Sequence, residues 1–174
     1  MMSVRRISNV VLQFLSLCMW CLTTSAAFAS KHIQVHLIPH SHVDPMWLFT
    51  SGEYIQRTQI ILEKTILTLL LDEKKTFVWE SIFFLDDFLT RQGSRSVCSP
   101  RSSIHMTAVN KKILKDKYNC FSFKESLLFL LEKQQLELVG GGWVSHDEAL
   151  TDFSSALSSM TLGRSWIVES LGKE

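Results

Sequence analysis

From Ser51 to Leu71 the apolar residues Tyr54, Ile61, Leu62, Ile66, Leu69 and Leu70 recur at helical spacing, with Glu53, Arg57, Glu63 and Lys64 between them. That period predicts an amphipathic helix. Before it, Ile33 to Ile38 (IQVHLI) passes from alternation into a continuous apolar run and stops at Pro39, the pattern of a buried strand over which the helix packs. Thr76-Phe77-Val78-Trp79 is short, β-branched and aromatic and predicts a second strand, and Ser81 to Leu89 returns to a helical pattern. Lys124 to Gln135 suits a helix, Leu136 to Val139 a third strand, Gly140-Gly141-Gly142 a tight turn, and Phe153 to Leu171 a helix ending at Gly172. Between them Gly93 to Ser103 (GSRSVCSPRSS) reads as an inserted loop. Strands alternating with helices imply βα units on a mostly parallel sheet, an α/β fold.

Composition narrows this to one globular domain or a piece of one: 174 residues, 46% hydrophobic and 20% charged. A net charge of +1, with no basic run longer than a pair, excludes the electropositive field that nucleic-acid binding requires. Arg5 and Arg6 precede an uncharged run from Val10 to Leu22, and Ala27-Phe28-Ala29 follows it, which is a signal-peptide pattern. Residues 1–29 are expected to be cleaved after Ala29, an uncleaved anchor being the alternative; 30–174 then has no segment able to span a bilayer. Cys18 and Cys21 leave with the signal. Cys98 and Cys120 remain in an oxidising lumen, either to pair or as free buried thiols.

The chemistry concentrates in two loops. In Pro39-His40-Ser41-His42-Val43-Asp44-Pro45 the residues His40, His42 and Asp44 stand at i, i+2 and i+4, so in extended backbone they point one way, just beyond a strand. Imidazole with carboxylate suits a divalent, zinc-like ion with a position open for substrate. The plainer reading is a His-rich surface turn, or a core His bonded to a carbonyl. The second loop, GGGWVSHDEA, sets Trp143 as an exposed-looking indole beside Asp147 and Glu148. It could stack and hydrogen-bond a sugar, or its acids could simply favour the next helix N-terminus. Phe77 to Phe84 (FVWESIFF) is mostly aromatic core, with Glu80 alone able to face a site. No G-x-S-x-G, H-E-x-x-H, Walker-type or G-x-G-x-x-G pattern occurs, which removes support for serine-hydrolase, zincin and nucleotide readings.

In this order, HLIPHSHVDPMWL, FVWESIFF, LELVGGGWVSHDEA and MTLGRSWIVESLG resemble the N-terminal catalytic domain of the glycoside hydrolase family 38 α-mannosidases, from His32 to about Gly172. The resemblance implies a partial β/α-barrel-like domain of the glycoside hydrolase/deacetylase kind. It also implies one zinc ion and retaining hydrolysis of terminal α-mannosyl linkages in mannose-containing N-glycans, in the lysosome or outside the cell. By matching positions, His42 and Asp44 are the implied zinc ligands and His40 a supporting residue. Trp47 is implied to wall the mannose subsite; from the loop's own residues, Trp143 and Asp147 are expected to bind substrate with Glu148 in support. The family's nucleophilic Asp and its acid/base carboxylate are expected beyond Glu174, so this chain is expected to be a truncated, inactive fragment. It also departs from the family: Met46 stands where Gly is usual, Glu80 is preceded by Trp79 rather than a small residue, Asp152 replaces a common His, and the Ser-rich stretch is long. Two other functions remain open: a small secreted sugar- or partner-binding protein, and a metal-dependent deacetylase in which His40 is also a ligand.

Overall fold

The computed structural model describes residues 33–100, 104, 106–147 and 150–173. The expected signal peptide and Glu148 lie outside the described residues. The chain divides into two compact units, Met1–Leu37 and Ile38–Glu174.

Helix α1 runs over Ser51–Leu71, the span its periodicity predicts. It starts where Thr50 accepts a hydrogen bond from the Glu53 amide while the Glu53 carboxylate accepts from the Thr50 amide. This reciprocal cap satisfies amides that the first turn leaves free. Strand β1 is Phe77–Trp79, helix α2 Ile82–Gln92, helix α3 Ala108–Tyr118, helix α4 Phe123–Glu132 and strand β2 Leu136–Leu138. Helix α5, Phe153–Trp166, passes into a π-helical turn, Ile167–Leu171, and stops at Gly172 in the left-handed conformation. The helix predicted from Phe153 to Leu171 is therefore continuous in span but loosens in its last turn. No helix among the described residues is long and apolar enough to cross a membrane.

β1 and β2 pair in parallel, Phe77 with Leu136 and Trp79 with Leu138. On the other edge of β1 the Val78 amide donates to the Pro39 carbonyl, 2.9 Å, and His40 bridges Val78. These are βα units, so the α/β class holds, but the described sheet has two strands and does not close into a barrel. The strand expected over Ile33 to Ile38 is absent. Ile33, Val35, Leu37 and Ile38 are 86, 75, 89 and 65% exposed. An apolar run reports a need for burial on both faces, and a sheet of two strands lacks the layers to supply it.

α1 packs against α2, α4 and α3 rather than over a first strand. Leu62, Ile66 and Leu70 from α1 join Trp79, Phe84, Phe88, Phe123, Leu127 and Leu130 in the core. Gln135 is buried there because its amide nitrogen donates to the carbonyls of Leu69, Asp72 and Lys75, satisfying the C-terminal end of α1. The Ser-rich stretch is anchored, not a free loop: Val97 is fully buried, Ser96 bridges Ser122, and Cys98 forms a disulfide with Cys120. The glycine turn has its own reason. A Cβ on Gly163 of α5 would run into the Gly141 carbonyl, so α5 can seat on residues 141–143 only through a glycine.

Candidate metal and sugar site

Three parallel backbone segments deliver the site. His42 lies two residues beyond the His40–Val78 bridge, Glu80 directly follows β1, and Asp147 stands in the loop after β2. All therefore project from the C-terminal ends of parallel strands, where backbones fan apart and leave room for a ligand. The frame beneath is tied across: the Ile82 amide donates to the Gly142 carbonyl and the Phe83 amide to that of Trp143, at 3.1 and 2.8 Å.

His42 is the centre. Its Nε2 lies 3.1 Å from Asp44 Oδ1 and 3.1 Å from Asp147 Oδ2, and its Nδ1 lies 3.0 Å from Glu80 Oε1. The ring's pKa is raised above the ordinary 6.5: partial burial pulls it down, but the charges of Asp44, Glu80 and Asp147 and the hydrogen bond to Asp44 outweigh that. One nitrogen of His42 and one oxygen each of Asp44 and Asp147 all lie within 4.8 Å of one another. Tetrahedral zinc with bonds of about 2.0–2.2 Å holds its ligand atoms roughly 3.3 Å apart, so the 3.1 Å separations fit that ion. The two carboxylates would otherwise repel across one imidazole. Three protein ligands would leave a position open.

The sequence expectations divide here. His42 and Asp44 converge, but His40 does not: it is held by its backbone at the edge of β1, outside the cluster. His40 makes an isolated bridge to Val78, whereas residues 41–44 lie outside any strand, so the strict alternation that would have aligned all three does not apply. Placing His40 outside weighs against a deacetylase with three ligands from this one motif. Asp147, expected at the sugar, joins Asp44 on His42 Nε2 and also lines the cleft beside it. Asp152 caps the next helix, accepting from the Ser155 amide at 2.9 Å, which gives this departure from the family a local cause.

Beside the cluster opens a cleft of about 540 Å³ lined by Asp44, Met46, Trp47, Val144, Ser145 and Asp147 among others. Trp47 is 69% exposed on its wall. Trp143, expected as an exposed indole, is instead partly buried, its ring edge-on to Phe83 at 6.1 Å. The large apolar ring has more area to bury against the core than to offer solvent. Met46 adopts φ 67°, a left-handed conformation in which a side chain costs about 1 kcal/mol or more. That explains why glycine suits this position. Sequence reasoning named Glu80 as able to face a site without giving it a role there, and passed over Ser145. Glu80 was visible as the one charge in an aromatic strand, whereas the buried, unpartnered hydroxyl of Ser145 carried no signal at all.

The chain matches the family model of the glycosyl hydrolases family 38 N-terminal domain over residues 32–100 and 101–174. It is similar to alpha-mannosidase 2 of Rattus norvegicus, 30% identical over 141 residues, which is 80% of this chain and 10% of that protein. Alpha-mannosidase 2 of Arabidopsis thaliana is 30% identical over 143 residues, 82% of this chain and 10% of the relative. Lysosomal alpha-mannosidase of Bos taurus is 27% identical over 151 residues, 82% of this chain and 12% of the relative. The chain thus spans about a tenth of the length of the curated relatives it matches.

Proposed function

Because the chain belongs to glycoside hydrolase family 38 through its N-terminal domain, we propose that it forms the zinc- and sugar-gripping part of an α-mannosidase catalytic site. Residues 30–174 are read as the first portion of a β/α-barrel-like catalytic domain, following a signal peptide at residues 1–29. His42, Asp44 and Asp147 would hold the zinc. Bound there, zinc supplies a Lewis-acidic centre for sugar hydroxyls. Trp47 offers an apolar face for a sugar ring on the cleft. His40 supports the loop through its backbone, and Trp143 underpins the wall from the core side.

A retaining glycosidase also needs two carboxyl groups about 5–5.5 Å apart flanking the scissile bond. Asp44, Glu80 and Asp147 each keep an oxygen within 3.1 Å of His42, and we read all three as engaged with the imidazole or its metal rather than as that flanking pair. The segment alone is therefore read as non-hydrolytic, and terminal α-mannosyl groups of N-glycans in the lysosome or outside the cell as the substrate of the longer protein. The observation that carries this reading is the meeting of Asp44 and Asp147 on His42 Nε2. Metal analysis of the purified chain after zinc exposure is expected to give one zinc per chain, lost in His42→Ala and in Asp147→Ala, with no hydrolysis of an aryl α-mannoside. A folded chain that takes up no zinc, or one whose zinc survives both substitutions, would overturn it.

A further inference from the structure

His42 has two ring nitrogens, and a metal needs one of them as a lone pair. A neutral imidazole carries its single proton on either nitrogen, so something must hold that proton on Nδ1 if Nε2 is to face Asp44 and Asp147. The structure places one group in position to do so. Glu80 Oε1 is buried, makes no hydrogen bond, and lies 3.0 Å from His42 Nδ1, paired by charge and not yet aligned to accept its N–H. A carboxylate can only accept, and a buried acceptor left unpaired is costly, so once a metal takes the place of the hydrogen bond from Nε2 to Asp44 the proton belongs on Nδ1, beside Glu80.

Glu80 is also unusually well fixed. Its neighbour Trp79 is 1% exposed and donates its indole N–H to the Ser81 carbonyl at 2.7 Å. Ser81 is itself buried, and its hydroxyl donates to the Trp143 carbonyl at 3.3 Å. β1 is bonded on one edge to β2 and on the other to Pro39. The carboxylate therefore springs from the most constrained backbone in the site, while His42 rides on a loop.

We propose that Glu80 is a positioning residue for the metal site: it accepts the Nδ1 proton of His42 and thereby presents the Nε2 lone pair, correctly oriented, to a zinc ion shared with Asp44 and Asp147. This rests on the zinc reading above and adds a fourth residue that touches neither metal nor sugar. Outer partners of this kind alter metal affinity by about 10–100-fold.

The test compares the full chain with Glu80→Gln, which keeps the shape and loses the charge, and Glu80→Ala, which loses both. Zinc affinity is read by competition against a chromophoric chelator, and the His42 ring by nitrogen-15 NMR without metal, above its pKa. Glu80→Gln is expected to weaken zinc by about tenfold and Glu80→Ala by up to about 100-fold. In both, the fraction of the ring carrying its proton on Nδ1 is expected to fall below that of the parent, while circular dichroism of the Gln variant stays that of the parent. If the parent binds zinc and both variants bind it equally well, the role of Glu80 is overturned and the zinc site stands. Weakened zinc with an unmoved tautomer also overturns it, since Glu80 would then act only through the fold. If the parent binds no zinc, the metal reading falls and this inference falls with it.

Discussion

At the scale of single residues, His42 sets the behaviour of the site toward pH. Its pKa in the folded chain lies above 6.5, held there by three carboxylates against the pull of partial burial. In the metal-free protein the cluster therefore contributes stability that is fully present below pH 6.5 and is lost as pH rises through the raised value. The effect is modest because the ring is 43% exposed. Urea unfolding of the metal-free chain across this range is expected to show that decline, and His42→Gln to abolish it. The H-x-H-x-D spacing made His42 and Asp44 legible as a pair before any coordinates. It misplaced His40, because alternation holds only within a strand, and residues 41–44 after the His40 bridge lie outside any strand. Asp147 could be marked as a site residue but not as a partner of His42, since their meeting depends on two loops separated by more than half the chain.

At the scale of elements, caps decide where helices begin. Thr50 with Glu53 and Ser122 with Glu125 form reciprocal boxes, and Thr107 and Asp152 cap α3 and α5. Thr50→Ala and Ser122→Ala are each expected to cost about 1 kcal/mol, seen as a lower denaturant midpoint with an unchanged slope. α1 was readable to the residue because its apolar stripe is long and its cap sits next to it. α3 was not predicted. It is rich in lysine, and only Leu114 and Tyr118 turn inward, too few to make a period; its tertiary contacts and the Thr107 cap define it. The first strand failed for the opposite reason, an ample apolar signal with no second layer to bury it.

At the scale of the whole molecule, α5 seats inward through Gly163 and Trp166 while three of its other large residues face out. Phe153, Leu157 and Met160, at helical spacing, are 80, 53 and 50% exposed. Such an apolar stripe favours association. Light scattering of the oxidised chain is expected to show concentration-dependent self-association, reduced by Leu157→Lys; a monomer at high concentration would contradict this.

The sequence alone determined the local structure: the main helices, both observed strands, the family resemblance and the His42–Asp44 pair, because each is written in short-range periodicity, capping or motif spacing. Tertiary structure decided the rest. It drew Asp147 and Glu80 onto His42, turned Trp143 toward Phe83, joined Cys98 to Cys120 and left Ile33 to Ile38 without a strand. These outcomes depend on which distant segments meet and on how much apolar area each can bury, quantities that no stretch of sequence contains by itself.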